Sequence, residues 1–182
     1  MPTAFTIEAL ARAKQSLCVG RGDSIYSPER DLVSFEVSQI QSPHDRGTVV
    51  EKMVAEMLQQ CGIEAEHVGG KGQADIVIYT GGRKIVAECK SSTLGPVSRR
   101  YEFTGIKPEE LDVLIMAFVT PEGIKVKTMS QQAVKAWVKI GGKGRSPAIW
   151  SDSKQGYTIG FKEDMTNPKV VAVDWDPENL RI

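Results

Sequence analysis

Residues 74–92 read Ala74-Asp75-Ile76-Val77-Ile78-Tyr79-Thr80-Gly81-Gly82-Arg83-Lys84-Ile85-Val86-Ala87-Glu88-Cys89-Lys90-Ser91-Ser92. Two β-rich runs, Ala74 to Tyr79 and Lys84 to Lys90, flank a Gly-Gly pair, the pattern of a hairpin closed by a two-residue turn. With Gly81 and Gly82 as the loop, Thr80 faces Arg83, and counting outward sets Asp75 opposite Glu88. Strand alternation then turns Ile85, Ala87 and Cys89 to one side for burial and leaves Glu88 and Lys90 on the other, with Asp75. Side chains directly opposite lie roughly 4.5–5.5 Å apart at Cβ, where two like charges repel by ~3 kcal/mol at an effective dielectric of about 20. A sheet gains nothing from that. A divalent cation between the carboxylates would resolve it, because hard ions take oxygen ligands and invert the local charge logic.

An E-x-K triplet by itself carries little weight, and Asp152-Ser153-Lys154 is a similar match in a polar, turn-like stretch with no partner acid. The Asp75 set differs because acid, turn, second acid and lysine agree in register and face. Upstream, Ser42-Pro43 is a favourable helix start and Gly62 a stop. Val50, Met53, Val54, Met57, Leu58 and Cys61 share one face of this helix. Glu51 falls on the flank of that face, whereas Glu56 is expected to point into solvent.

Further out, residues 6–17 repeat at helical spacing and run into Gly20 and Gly22. The apolar run Asp112 to Val119, bounded by Pro121-Glu122-Gly123 and followed by Ile124 to Met129, suggests a second strand pair, and Gln131 to Ile140 a helix. Tyr157 to Val173 reads as two more strands joined through Asn167-Pro168. The expected class is α/β, a mixed β-sheet core flanked by helices, in one domain over residues 1–182. Its catalytic core would span about 43–140, and strands in 146–182 would serve DNA recognition or dimer contacts.

The composition is consistent with a cytoplasmic protein. There is no basic stretch followed by an apolar run at the start and no transmembrane-length apolar segment. Three cysteines, Cys18, Cys61 and Cys89, are far apart and suggest neither a disulfide framework nor a zinc site. Net charge is zero, but Arg83 to Arg145 holds 12 Lys/Arg against 6 Asp/Glu, leaving 11 against 17 elsewhere. That stretch could face phosphates. His44 and His67 are the only histidines, neither in an H-N-H-like or H-E-x-x-H setting, and both read as structural or surface residues. Trp137, Trp150 and Trp175 read as core or interface.

On Arg46 to Ser92 the chain resembles the PD-(D/E)xK nuclease superfamily, the restriction-endonuclease-like fold. The motif is an acid on a preceding helix, an acid opening a hairpin and E-x-K on its second strand, here Glu51, Asp75 and Glu88-Cys89-Lys90. Ala74 stands where the family often has proline, a departure it tolerates. The resemblance implies that Asp75, Glu88 and the Cys89 carbonyl bind Mg2+, for which Mn2+ would substitute. Lys90 would orient or deprotonate the attacking water, and Glu51 would support a metal-bound water or a second ion.

Within the superfamily, Arg46-Gly47, Gly70-Lys71-Gly72 and Glu88 to Ser92 look like archaeal-type Holliday junction resolvases. Arg99-Arg100-Tyr101-x-Phe103, followed by Glu110-Leu111-Asp112-Val113, is similar to homing-type members. The tail Asp164-Met165-Thr166-Asn167-Pro168-Lys169-Val170 looks like small dimeric type II restriction endonucleases. With about 90 residues after Lys90 to build groove-reading elements, the expectation is a homodimer cutting double-stranded DNA sequence-specifically, with no membrane partner. Candidate DNA contacts are Arg46, Arg99, Arg100, Lys143 and Arg145. The alternative from another class is an inactive DNA-binding module on the same fold.

Overall fold

The computed structural model describes residues 40, 42–70, 74–120, 123–140, 148–151, 155–167 and 173–174. The expected helix over 6–17, the Asp152-Ser153-Lys154 stretch, Lys143, Arg145 and Trp175 lie outside the described residues.

Helix α1 (Pro43–Gln60) starts where the cap signal puts it. The Ser42 hydroxyl accepts a hydrogen bond from the Asp45 amide at 3.2 Å, and Pro43 occupies the first turn, where no amide donor is missed. Cys61 caps the end and Gly62 adopts φ +76°, a left-handed conformation that costs glycine little. The buried arc takes in Val49 and Ala55 as well as the apolar stripe. Glu56, on the margin of that wider arc, is half-buried rather than solvent-facing as its helical position had suggested.

Strand β1 (Glu64–His67) follows, then β2 (Ile76–Thr80) and β3 (Arg83–Thr93). The β2/β3 hairpin has the register expected from its turn: Thr80 pairs with Arg83, Ile78 with Ile85 and Ile76 with Ala87. Gly81 and Gly82 both have positive φ, +55° and +74°, as the twist-matching two-residue turn requires. Strand β4 (Arg100–Ile106) leaves for a second sheet before β5 (Val113–Thr120) returns parallel to β3, Ala87 beside Val113 and Thr93 beside Val119. Strand β6 (Gly123–Ser130) runs back antiparallel to β5, and helix α2 (Gln131–Ile140) starts directly after it. The chain continues through β7 (Ala148–Ser151), β8 (Gly156–Lys162) and β9 (Val173–Asp174).

The larger sheet has the order β1-β2-β3-β5-β6-β9 and the smaller β4-β8-β7. The tail strands β8 and β9 therefore belong to different sheets instead of forming a joined pair. All eight residues of β5, VLIMAFVT, are buried, as expected of a central strand covered on both faces. Val113, Ile115, Ala117 and Val119 enter one cluster with α1, while Leu114, Met116 and Phe118 enter another with Tyr101, Phe103, Ile159, Phe161 and Trp137. Because adjacent strand residues point to opposite faces, α1 covers one face of the sheet and the small sheet with α2 covers the other. Phe118 centres the second cluster, its ring 5.1 Å from Tyr101, 4.9 Å from Phe103 and 5.2 Å from Phe161, all edge to face.

The chain is thus a mixed α/β fold. Pairing with β2 ends at Ile76–Ala87, so Glu88 to Thr93 are laddered on one side only, to β5. The candidate site lies at that open edge.

Candidate active site

Asp75 precedes the first paired residue of β2. Its carboxylate takes the next rung of the vacated ladder, Oδ2 accepting from the Cys89 amide at 2.9 Å. Its own carbonyl accepts from the Val68 amide at 3.0 Å, which ties the end of β1 to the same point. Along β3, Ile85, Ala87 and Cys89 are buried against the α1 side, and Glu88 and Lys90 are partly exposed on the other face. Lys90 Nζ forms an ion pair with Glu88 Oε1 and lies 3.8 Å from Asp75 Oδ2.

Burial, with the charges of Glu88 and Glu51 adding to it, raises the Asp75 carboxyl from 3.8 to about 7, against the opposing effects of Lys90 and the Cys89 amide. Burial works against the Lys90 ammonium, yet the charges of Glu88 and Asp75 outweigh it and its pKa is raised. Burial also pushes the Cys89 thiol well up, helped by Glu51 and Asp75. The thiol is a neutral wall of the site.

Glu51, on α1, is close enough for its charge to act on both Asp75 and Cys89. Its Oε2 meets His67 Nε2 at 3.1 Å, and both side chains are mostly covered. The structure therefore brings Glu51, Asp75, Glu88 and Lys90 into one neighbourhood and adds His67, which the sequence motifs left aside. The missed signal was β1 itself: among Glu64, Ala65, Glu66 and His67 only Ala65 is buried, so little apolar pattern marks the strand. Among the described residues, no group of three or more His, Cys, Asp or Glu side chains converges on one point.

The candidate DNA contacts are dispersed. Arg46 Nη1 donates to the Ile40 carbonyl at 3.4 Å. Arg99, in a left-handed conformation with φ +50°, is held by Glu163, to which its Nε donates at 3.2 Å. The Arg100 side chain lies over Gly160, where an added Cβ would stand 3.4 Å from Nη2. Arg99 and Arg100 follow the open end of β3 by a short turn, while Arg46 sits one turn into α1. No helix among the described residues is long and apolar enough to cross a membrane.

No family model matches the chain, and no curated protein matches it. Among solved structures it is similar to a bacterial homing endonuclease, I-Ssp6803I, at 12% identity and a TM-score of 0.41. That likeness covers 47% of this chain and 67% of that one.

Proposed function

We propose that this chain is a magnesium-dependent endonuclease of the PD-(D/E)xK kind that hydrolyses phosphodiester bonds of double-stranded DNA at specific sequences, as type II restriction enzymes do. The observation that carries the reading is the meeting of Asp75 and Glu88 around a single lysine at the unladdered edge of β3. A structural ion pair would need one acid. Two acids beside Lys90, with Glu51 adding a third negative charge, leave a site whose Asp75 carboxyl rises to about 7 and which a cation would relieve.

The donor set fits magnesium. This ion dehydrates reluctantly and is usually held by one or two carboxylates while keeping several waters, so an Asp75/Glu88 pair, with the Cys89 carbonyl as a third donor, would suffice. When bound, the ion would lower the pKa of a water and polarise the scissile phosphate. Lys90, its pKa raised, would act as an ammonium, donating hydrogen bonds that orient the attacking water and offset negative charge on the phosphate. Glu51 would support a metal-bound water or a second ion, and Arg99 and Arg100 would contact the backbone beyond the end of β3. One active site per chain implies a homodimer for cutting both strands.

The test is incubation of a long defined DNA and of a mobile four-way junction at equal concentration, with magnesium and with EDTA, followed by sequencing of the ends. Discrete metal-dependent duplex fragments with a common end sequence are expected. Junction cleavage without duplex fragments would make the chain a resolvase, and one rare cut in very long DNA a homing enzyme. Binding to DNA without any cleavage would leave the inactive module.

A further inference from the structure

We infer that His67 is a positioning residue for Glu51, an inference that rests on the nuclease reading: its imidazole fixes the carboxylate of α1 beside Asp75. His67 Nε2 lies 3.1 Å from Glu51 Oε2, with side-chain exposures of only 18% and 17%. With the carboxylate oxygen as acceptor, the contact assigns the hydrogen to Nε2 as donor. No described residue bonds Oε1, which lies against the backbone of Gly47, one helical turn earlier, where an added Cβ would stand 3.6 Å away. One oxygen is thus anchored, and among the described residues the other is left available.

His67 is itself placed by the same elements that place Asp75. It pairs with Ile76 at the end of the β1/β2 ladder, and the next residue, Val68, donates its amide to the Asp75 carbonyl. The chain then turns through Gly69 at φ +58°, its backbone so close to the ring that a Cβ would come within 2.9 Å of His67 Cε1. Gly69 thus satisfies two constraints, the left-handed turn and the room for the imidazole. Glutamate in mid-helix has three rotatable side-chain bonds, and without a partner its charge would spread over several rotamers. The imidazole selects one. Partners of this kind, which orient a ligand or a metal-bound water, are worth about 10–100-fold in affinity or activity.

The experiment compares His67→Phe, which fills the space without a donor, His67→Gln, which offers an amide N–H, Glu51→Ala and the double variant Glu51→Ala/His67→Phe. Three measurements are made: manganese binding by calorimetry, single-turnover cleavage, and the 15N spectrum of the imidazoles at pH 8. His67→Phe is expected to weaken manganese binding and slow cleavage by about tenfold or more, matching Glu51→Ala. His67→Gln should recover most of both, and the double variant should be no worse than Glu51→Ala. The His67 ring should carry its hydrogen on Nε2, with a signal that moves in Glu51→Ala. Losses that multiply in the double variant, unchanged manganese affinity in His67→Phe, or a hydrogen on Nδ1 instead would each overturn the inference. The calorimetry and spectra need no turnover. A wild-type protein that binds manganese through this pair yet cuts no DNA would overturn the nuclease reading alone. Where His67→Phe melts well below the wild type, His67→Asn, too short to reach Glu51, takes its place.

Discussion

Lys90 Nζ stands 3.8 Å from Asp75 Oδ2 while it also pairs with Glu88, so one ammonium serves two acids, one on β3 and one just before β2. The pair is unequal. Glu88 is two residues along the same strand and takes the closer contact, whereas Asp75 is reached across the gap that β2 leaves and is also the more buried of the two. Burial, with the charges of Glu88 and Glu51 adding to it, lifts the Asp75 carboxyl to about 7 against the pull of Lys90.

Asp75 therefore holds a proton more tightly in the folded chain than in the unfolded one. Its contribution favours folding at pH below the ordinary value of 3.8 and is lost as pH climbs through about 7. Asp75→Asn removes that loss. In urea denaturation without metal, the variant should gain on the wild type between pH 4 and 7 and lead by up to about 4 kcal/mol at pH 8, each tenfold change in proton affinity being worth ~1.4 kcal/mol. Asp75→Asn and Glu88→Gln should both abolish magnesium-dependent cleavage. Cleavage at the wild-type rate by either variant would mean that the site is elsewhere.

A cation held by the proposed site would compete with a proton for the Asp75 oxygens. Magnesium or manganese affinity should rise by up to tenfold for each pH step of about one below 7 and level off above it. Calorimetry at fixed ionic strength from pH 5.5 to 8.5 would record this, with proton release on binding at the acid end. A flat profile would remove Asp75 from the donor set.

Lys90 and Glu51 should separate in kinetics. Lys90→Ala is expected to lose about 10²–10⁴-fold in single-turnover cleavage while keeping or improving metal affinity, because it removes a cation that shares the site without being a ligand. Glu51→Ala should lose less, about 10–100-fold, with the loss appearing in metal affinity as well. Equal, small losses in both would refute the division of roles.

A two-fold dimer makes a further expectation specific. Wild-type chains mixed with excess Asp75→Asn chains and allowed to exchange should convert double-strand cuts into single-strand nicks, read as open-circular plasmid. Double-strand cuts that simply decline in proportion, with no rise in nicked circles, would argue against one active site per strand.

Most of the candidate site could be read from one hairpin, because a Gly-Gly turn fixes register and register fixes faces. Asp75, Glu88 and Lys90 all follow from where Gly81 and Gly82 sit. Glu51 came from helical periodicity, although that periodicity understated how much of α1 is covered. Strand β4 escaped for a physical reason: Tyr101 and Phe103 do alternate with Arg100 and Glu102, but the register shifts between Phe103 and Ile106, where Gly105 adopts φ +74°, and the period breaks. The parallel pairing of β3 with β5 leaves no local signal, since its partners are brought together only by the excursion through the second sheet. His67 was hidden with β1, an edge strand too polar to announce itself.

Strand β5 is a wall common to two hydrophobic clusters, with odd-numbered residues from Val113 to Val119 on one side and Leu114, Met116 and Phe118 on the other. Neither cluster can lose its order while the other keeps it, because both would need the same backbone intact. Partial opening is thereby confined to the margins, and the amides of β5 should exchange with solvent only when the whole molecule unfolds. The open edge of β3 can then breathe without loosening the strand against which it is registered.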